Sequence, residues 1–341
     1  MNKKLVALLF AGALVLAALA GCSTQAADQN PAQPESQAPA EAAVVNAAAL
    51  KGPTAMGLVG FMNDVETGVT ADNDYRFSIA ASPDELTPQI AQGALDIACV
   101  PANLASVLYN NTDGGVRVLA LNTLGVLYIC DRNGSVGSVA DLAGKTIYAS
   151  GKGSTPEYAL NYILERNGLT PGVDVTIEWK SEHAECVAAM AQDESAIALL
   201  PQPFVSAAQL KDESIRIALD LTEEWDALQS GANESSLITG VVIARAAFAD
   251  EHPEAVAAFM QHYRDSVAFV NDDIEAAAEL IDTYDIVPAA VAQKAIPACN
   301  IVCIEGDDMK THLSSYLEVL FEQNPKAVGG ALPNDDFYYA A

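Results

Sequence analysis

The chain has 341 residues, and its 17 basic and 45 acidic residues give it a formal net charge of −28. A surface this acidic repels nucleic-acid phosphates and anionic lipid head groups, so nucleic acids are excluded as partners. The length suffices for one large domain or two ordinary ones with a substantial core.

The N-terminus has the pattern of a lipoprotein export signal. Lys3 and Lys4 precede an apolar run over 5–20 that is too short to span a bilayer comfortably. Small residues then lead directly to Cys22. We expect 1–21 to be a signal peptide and Cys22 to become the lipid-modified N-terminus, held by two acyl chains. Cleavage removes two lysines and no acid, leaving 15 basic and 45 acidic residues and a charge of −30.

A polar segment follows the expected lipid anchor. Residues 22–43 consist mainly of Ala, Gln, Pro and Ser and show no apolar periodicity. Such a composition cannot bury enough apolar surface to fold. The segment is therefore predicted to be a flexible linker between the membrane and a folded body.

Strand-like and helix-like stretches alternate through the body, which predicts an α/β fold. A helix is expected over 156–166, ending at Asn167-Gly168, and a long amphipathic helix over 253–271. The predicted strands are 44–50, 75–81, 96–100, 116–121, 126–130, 146–149, 173–179, 196–200, 215–219 and 237–244.

Six of these strands run directly into a helix start or a polar loop. The first is followed by a predicted helix over 55–62. Ser82 to Glu85 and Ser154 to Glu157 have the spacing of capping boxes, the second behind a glycine loop. We call the residues that follow the carboxyl end of such a strand a strand exit. Ligands of open α/β sheets bind at these ends, and three strand exits lie in each half of the body, so the sequence predicts a ligand-binding cleft between two lobes.

Five stretches carry a resemblance to a known family. They read LKGPTAMG at 50–57, GALDIA at 93–98, DLAGKTI at 141–147, EYALNYILERNGL at 157–169 and HPEAV at 252–256. In this order they resemble the type II periplasmic-binding-protein superfamily, and within it the NMT1/SsuA-like solute-binding proteins for nitrate, sulfonate and taurine.

The resemblance implies two α/β lobes joined by crossing segments near 122–125 and 235–240. Lobe 1 would hold 44–122 and 238–341, and lobe 2 would hold 123–237. It also implies a monomeric solute-binding protein without a cofactor that closes on its ligand by hinge bending. The loaded form would dock on an ABC permease, with its ATPase, at the extracytoplasmic face of the membrane.

Candidate ligand-binding residues follow from the strand exits and the matching stretches. The helix N-terminus that follows Thr54 and the one at Ser154 and Thr155 can each hold an anionic group. Uncharged hydrogen-bonding side chains at the exits and crossings can orient a polar ligand, and Tyr158 and Phe204 can stack on it. The full predicted set is Thr54, Met56, Asn103, Thr123, Ser154, Thr155, Tyr158, His183, Gln202, Phe204 and Ser236.

Cysteine usage predicts neither a disulfide framework nor a metal site. After Cys22 an odd number of cysteines remains, mostly in apolar runs: Cys99, Cys130, Cys186, Cys299 and Cys303. Residues four apart in a strand stand about 13 Å from each other, which excludes a Cys299–Cys303 bridge unless that segment is helical. His183 and Cys186 share a helical face, but zinc requires three or four ligands.

Two other functions compete with transport. Relatives of the same fold include cytosolic enzymes, among them a thiamine-pyrimidine synthase whose cysteine-rich motif this sequence lacks. A receptor that binds a solute without transporting it would share the fold and the anchor. Within the transport hypothesis the solute stays open between nitrate, sulfonates, taurine, thiamine pyrimidines and other heterocycles. Helix N-termini favour a small organic anion, whereas the exits offer few basic side chains.

Overall fold

The structure, a computed structural model, describes residues 42–229 and 235–340. The predicted signal peptide, Cys22 and the linker up to residue 41 lie outside these residues. Both sheets described below belong to one compact unit, Glu41–Ala341. Within the described ranges, no helix combines the length and the apolar character that crossing a bilayer requires.

Eleven strands among the described residues form two mixed sheets. They are β1 Val44–Leu50, β2 Asp74–Ala80, β3 Ile97–Pro101, β4 Val116–Leu124, β5 Leu127–Asp131, β6 Thr146–Ser150, β7 Thr176–Lys180, β8 Ile197–Pro201, β9 Arg216–Asp220, β10 Ile238–Arg245 and β11 Ile301–Ile304. The six-stranded sheet has the order β11-β4-β10-β3-β1-β2, and the five-stranded sheet has the order β7-β6-β8-β5-β9. We call the part built on the first sheet lobe 1 and the part built on the second lobe 2.

The two sheets repeat one topology. In lobe 1, β2, β1 and β3 are parallel neighbours, and β10 lies antiparallel between β3 and β4. In lobe 2, β7, β6 and β8 are parallel neighbours, and β5 lies antiparallel between β8 and β9. The strands that are antiparallel to both neighbours, β10 and β5, are the first strands after the chain crosses from one lobe to the other. The carboxyl ends of three parallel strands therefore form one edge in each lobe.

Thirteen α-helices connect the strands of the described residues. They are α1 Pro53–Met56, α2 Val59–Glu66, α3 Pro83–Ala91, α4 Ala102–Asn111, α5 Thr155–Arg166, α6 His183–Gln192, α7 Phe204–Lys211, α8 Leu221–Ala227, α9 Ala246–Glu251, α10 Pro253–Asp272, α11 Ile274–Thr283, α12 Ala289–Ala295 and α13 Gly306–Gln323. Lobe 2 contains α5 to α8, and the others follow strands of lobe 1. Proline occupies the first turn of α1, α3, α5 and α10, where its missing N–H costs no hydrogen bond.

All ten predicted strands are present, the first with the predicted ends and the others with at least one end displaced by one to three residues. The prediction of one helix over 55–62 is wrong, because the chain turns at Gly57 between α1 and α2. A Cβ at Gly57 would lie 2.8 Å from the Tyr263 hydroxyl, so α10 packs directly on this turn. The predicted strand over 173–179 begins only at Thr176, since Val173 lies in a turn and is 80% exposed.

The described cysteines are all free thiols, and four of the five are buried. Cys303 lies in β11, as the strand-like pattern around it indicated, and Cys299 follows a 3-10 turn, Ile296–Ala298.

The C-terminal helix α13 packs on both lobes. One continuous cluster of buried residues joins side chains of lobe 1, lobe 2 and α13, and it includes Tyr158, Trp225 and Tyr316. Each lobe also has a separate cluster on the far side of its own sheet. The lobes are therefore joined along α13 as well as through the two chain crossings.

The first crossing, between β4 and β5, passes through Gly125. A Cβ at this position would collide with the hydroxyl of Thr222 and would also lie 3.0 Å from Leu237. Leu237 directly precedes β10 at the second crossing. The first crossing therefore passes so close to α8 and to the second crossing that only glycine fits at residue 125.

Candidate functional site

Two pockets lie where the strand exits of lobe 1 face those of lobe 2. The hydroxyl pocket, about 340 Å³, is lined by Pro83, Pro101, Asn103, Leu104, Ser154, Thr155, Pro156 and Thr239. The aromatic pocket, about 470 Å³, is lined by Lys51, Gly52, Ala81, His183, Pro203, Phe204, Ala207, Ile286, Val287, Pro288 and Val291. Both pockets draw residues from both lobes.

A larger pocket of about 580 Å³ lies elsewhere, beside α10 and the start of α13. All its lining residues belong to lobe 1 or the C-terminal segment, and its Arg264 and Glu305 already pair with each other at 2.5 Å. It has neither the two-lobe lining nor the strand exits of the cleft, so we place the candidate site in the cleft.

Three helix N-termini converge on the hydroxyl pocket. Pro83 begins α3, Pro101 precedes α4, and Ser154 precedes α5. In none of the three does a side chain of the capping residue accept a hydrogen bond from the first turn. First-turn amides carry positive partial charge and attract anions. Pro83 and Pro156 have no N–H, and the amide of Glu157 already donates to the Ser154 carbonyl at 3.0 Å. The backbone donor that α5 offers to a negatively charged group is therefore the amide of Thr155, opposite the first-turn amides of α3 and α4.

Neither predicted capping box is formed. Glu85 and Glu157 accept from the amides of Ala81 and Gly153, each the residue before the N-cap, and neither Ser82 nor Ser154 accepts a hydrogen bond from a first-turn amide. The Ser82 hydroxyl donates to the Glu85 carboxylate at 3.4 Å. The hydroxyl of Ser154 instead donates to the Gly151 carbonyl at 2.6 Å. A complete box occurs at α6, between Glu182 and Glu185, where none was predicted. Glutamate is not a usual N-cap residue, so the sequence carries little signal for it.

Side-chain hydroxyls and an amide complete the hydroxyl pocket. Thr155 is 7% exposed, and its Oγ1 accepts a hydrogen bond from the Tyr316 hydroxyl at 3.3 Å. The amide of Asn103 makes only a long contact, 3.4 Å, with the Ala327 carbonyl. Thr239, which was not predicted, contributes a buried Oγ1 that has no partner among the described residues. A buried hydroxyl without a partner is costly, so a ligand atom or a water there would be stabilising.

Two further polar atoms near the first crossing also lack partners within the described residues. They are Oγ1 of Thr123, which is fully buried in β4, and Oδ1 of Asn122. Asn122 lies close to Thr54 and its Nδ2 makes a 3.4 Å contact with the Thr54 carbonyl. The floor between the lobes is therefore polar and incompletely satisfied by the protein itself.

The aromatic pocket is built around His183 and Phe204 of lobe 2. Their ring centroids are 4.7 Å apart with the planes tilted by 48°. Nδ1 of His183 lies 2.5 Å from the Ser150 hydroxyl. Burial lowers the pKa of His183 from 6.5 to about 4, so the ring is neutral at pH 7. Lobe 1 supplies the apolar wall opposite, from Ile286 to Val291.

Five of the predicted ligand-binding residues line the two pockets. Asn103, Ser154 and Thr155 meet in the hydroxyl pocket, and His183 and Phe204 meet in the aromatic pocket. The other six line neither. They are Thr54, Met56, Thr123, Tyr158, Gln202 and Ser236.

Three of these six residues are buried and make their contacts within the protein. Met56 is fully buried in the lobe 1 core, the Thr54 hydroxyl donates to the Leu50 carbonyl at 2.7 Å, and Gln202 accepts from the Ser206 hydroxyl at 2.9 Å. Tyr158 and Ser236 interact with the C-terminal part of the chain, through Asn324 and His312. A ligand role for these residues stays a prediction.

No group of three or more metal-ligating side chains occurs within residues 42–229 and 235–340. His183 and Cys186 lie on α6 as predicted, but the buried Cys186 thiol makes a 3.8 Å contact with the Glu182 carbonyl.

Comparison with known proteins gives one family and a common fold. A profile described as "ABC transporter, phosphonate, periplasmic substrate-binding protein" matches residues 59–293, more than half of the chain. No protein with a curated description matches the sequence.

Several solved structures share the fold. A crystal structure of an ABC transporter from Parabacteroides distasonis is 22% identical, covers 87% of this chain and 99% of its own, and has a TM-score of 0.72. The periplasmic aliphatic sulphonate binding protein SsuA from Escherichia coli is 16% identical over 87% and 92% of the two chains, with a TM-score of 0.70. The periplasmic nitrate-binding protein NrtA from Synechocystis PCC 6803 is 16% identical over 74% and 69%, with a TM-score of 0.55. At these identities the likeness confirms the predicted type II periplasmic-binding-protein fold.

Proposed function

The chain belongs to the family of periplasmic substrate-binding proteins of phosphonate ABC transporters, and from this premise we propose that it binds a small organic anion in the cleft between its lobes. The family consists of transporter binding proteins, so the chain is the substrate-binding component of an ABC import system and not an enzyme. The resemblance drawn from the sequence is thereby confirmed.

The convergence of three uncapped helix N-termini on the hydroxyl pocket carries the proposal. Backbone amides of α3 and α4 come from lobe 1, and the amide of Thr155 at the start of α5 comes from lobe 2. An anion held by both sets gains contacts that exist only when the lobes are closed. It would therefore shift the population toward the closed form, which is the general way in which a ligand drives hinge closure.

The aromatic pocket supports an organic body on this anion. Nitrate or inorganic phosphate would fill only part of the cleft, whereas the rings of His183 and Phe204 offer faces for an apolar group. Stacking on such rings contributes about 0.5–1.5 kcal/mol beyond the burial of apolar area. We expect a phosphonate or sulfonate with its acidic group in the hydroxyl pocket and its organic group toward Phe204.

The proposal includes delivery of the bound solute to a membrane permease. The closed, loaded protein would dock on its permease and release the solute when the associated ATPase drives transport. An acyl anchor at Cys22, on the linker 22–43, would keep the monomeric protein close to the extracytoplasmic membrane surface. The acidic surface of the mature protein, with a net charge of −30 after the removal of Lys3 and Lys4, would keep the body away from anionic lipid head groups.

The test is titration calorimetry of the mature chain from residue 22 with methylphosphonate, ethanesulfonate, nitrate and choline. We expect one of the first two to bind, and Thr155→Ala to weaken it about tenfold or more, because hydrogen bonds to charged groups are worth about 1.5–3 kcal/mol. Thr283→Ala is the matched control, since this exposed hydroxyl donates within α11 at 2.8 Å. A folded protein that binds only nitrate or only the cation choline would contradict the proposal.

A further inference from the structure

Tyr316 lies outside the pockets but contacts one of their lining residues. It is fully buried in α13, and its ring centroid is 5.8 Å from that of Trp225 in lobe 2. Its hydroxyl donates to Oγ1 of Thr155, 161 residues earlier in the chain. Thr155 begins α5 and lines the hydroxyl pocket. Tyr316 is therefore one hydrogen bond away from a solute in that pocket.

The direction of this hydrogen bond has a chemical consequence. Burial raises the pKa of Tyr316, so its hydroxyl stays protonated and remains a donor. Thr155 accepts that proton, and its own hydroxyl proton has no acceptor among the described residues. A hydroxyl has one proton to donate, and here that proton is left for an acceptor in the pocket.

The helix that carries Tyr316 is held firmly against α5. The side-chain amide of Gln323 donates to the Tyr158 carbonyl at 3.0 Å, and that of Asn324 donates to the Tyr158 hydroxyl at 3.2 Å. Tyr158 lies one helical turn after Thr155. These two bonds fix the spacing between α13 and the first turn of α5, so the hydroxyl of Tyr316 has a defined position relative to Thr155.

We propose that Tyr316 is a positioning residue for solute binding: by donating to the Thr155 hydroxyl it directs the proton of that hydroxyl toward the anionic group of the solute. The inference rests on the proposed anion site. It assigns Tyr316 a role in orienting Thr155 as a donor to the solute.

A double-mutant cycle tests the inference. Wild type, Tyr316→Phe, Thr155→Val and the double variant are titrated by calorimetry with methylphosphonate and ethanesulfonate. Tyr316→Phe should weaken binding about three- to tenfold, the range of one hydrogen bond. In the Thr155→Val background it should change the affinity less than about twofold, because its route to the solute is gone. Thr155→Ser, which keeps the hydroxyl, should restore the dependence on Tyr316.

Tyr109→Phe is the matched control. This tyrosine is also buried and donates a hydrogen bond to the C-terminal segment, at Asp336, but it lies in α4 away from the cleft. It should lower the thermal midpoint without changing the affinity. If Tyr316→Phe does not fold, Tyr316→Met, which also lacks the hydroxyl, is used in its place.

The outcomes separate this inference from the proposed function. An affinity that depends on Thr155 but not on Tyr316 overturns the inference alone. Equal effects of Tyr316→Phe with and without the Thr155 hydroxyl also overturn it, because they indicate a purely structural role. Failure of the folded wild type to bind either probe overturns both the anion site and the inference.

Discussion

The hydroxyl pocket and the aromatic pocket share one cleft but differ in how their side chains are held. In the hydroxyl pocket, Thr155 is 7% exposed and bonded to a buried tyrosine of another element. In the aromatic pocket, Phe204 is 39% exposed, and the rim ion pair of Lys51 with the fully exposed Asp285 is solvated. Groups fixed in advance bind with little loss of entropy, whereas exposed side chains adapt.

This difference implies that the two pockets recognise different parts of the solute. The hydroxyl pocket should select the charged group of the solute strictly, because its donors cannot move away from a wrong partner. The aromatic pocket should tolerate organic groups of different size. The four predictions below test this contrast, from the largest expected effect to the smallest.

A negative charge placed in each pocket should have very different consequences. Asn103→Asp is nearly isosteric and lies in the first turn of α4, where a carboxylate stabilises a helix. It should nevertheless weaken methylphosphonate binding by about one to two orders of magnitude, because two like charges would share a poorly solvated space. Calorimetry measures the loss.

Ala207→Asp is the matched variant in the aromatic pocket. It should weaken methylphosphonate binding about threefold or less, since screening reduces the interaction of more distant and better solvated charges. Similar losses in both variants would contradict the placement of the anionic group in the hydroxyl pocket.

Removal of Phe204 should affect only solutes with a sizeable organic group. Phe204→Ala should weaken benzylphosphonate binding about three- to tenfold, the value of one aromatic stacking contact, and leave methylphosphonate unchanged. Because this side chain is 39% exposed, the free energy of unfolding should change little. Competition titrations of the two phosphonates measure the selectivity.

Leu210→Ala controls for the loss of an apolar side chain from the same helix, since Leu210 is 50% exposed and lines neither pocket. Equal effects of Phe204→Ala on both phosphonates would show that the ring does not discriminate between organic groups.

The aromatic pocket contains a half-buried titratable group, His183, and no lining residue of the hydroxyl pocket titrates. Burial lowers the pKa of His183 to about 4 from 6.5 in the unfolded chain. Between these values the unfolded state binds a proton that the folded state does not. The stability linked to His183 is therefore fully present above about pH 6.5 and is lost as the pH falls toward 4.

Urea unfolding from pH 7 to pH 4 measures this loss. The difference in unfolding free energy between wild type and His183→Gln should shrink as the pH falls through that window. A constant difference would mean that His183 titrates normally in the folded protein.

The sequence predicts the strands and their exits well because those features are local. Buried runs such as β3 and β8, flanked by proline or glycine, are recognisable without knowledge of their neighbours. The exits at Asn103 and Ser154 follow directly from the ends of two such strands, and both residues line the hydroxyl pocket.

The other parts of the site depend on residues far apart in sequence. Ile286 to Val291 meet His183 across the cleft, and Tyr316 meets Thr155. No periodicity or capping pattern signals either contact, because each arises only when α12 and α13 pack against lobe 2. The break between α1 and α2 has a similar cause, since α10 occupies the space beside Gly57. Tertiary packing, not local preference, decides these features.

The smallest expected effect concerns two helix N-caps of lobe 2. The side chain of Asp220 accepts a hydrogen bond from the amide of Thr222 at 2.8 Å and so caps α8. Ser154, at the start of α5, donates to Gly151 instead and caps nothing. Asp220→Ala should therefore lower the free energy of unfolding by about 1 kcal/mol, and Ser154→Ala by less than about half of that.

Urea unfolding of the two variants without solute measures the difference. An equal cost would mean that Ser154 caps α5 in solution, which would leave fewer of its first-turn amides for the solute. A larger cost of Asp220→Ala than of Ser154→Ala would mean that the Ser154 side chain does not cap α5. The amide of Thr155 would then lack an acceptor until an anion supplies one, so that the same amide that weakens the free protein stabilises the loaded one.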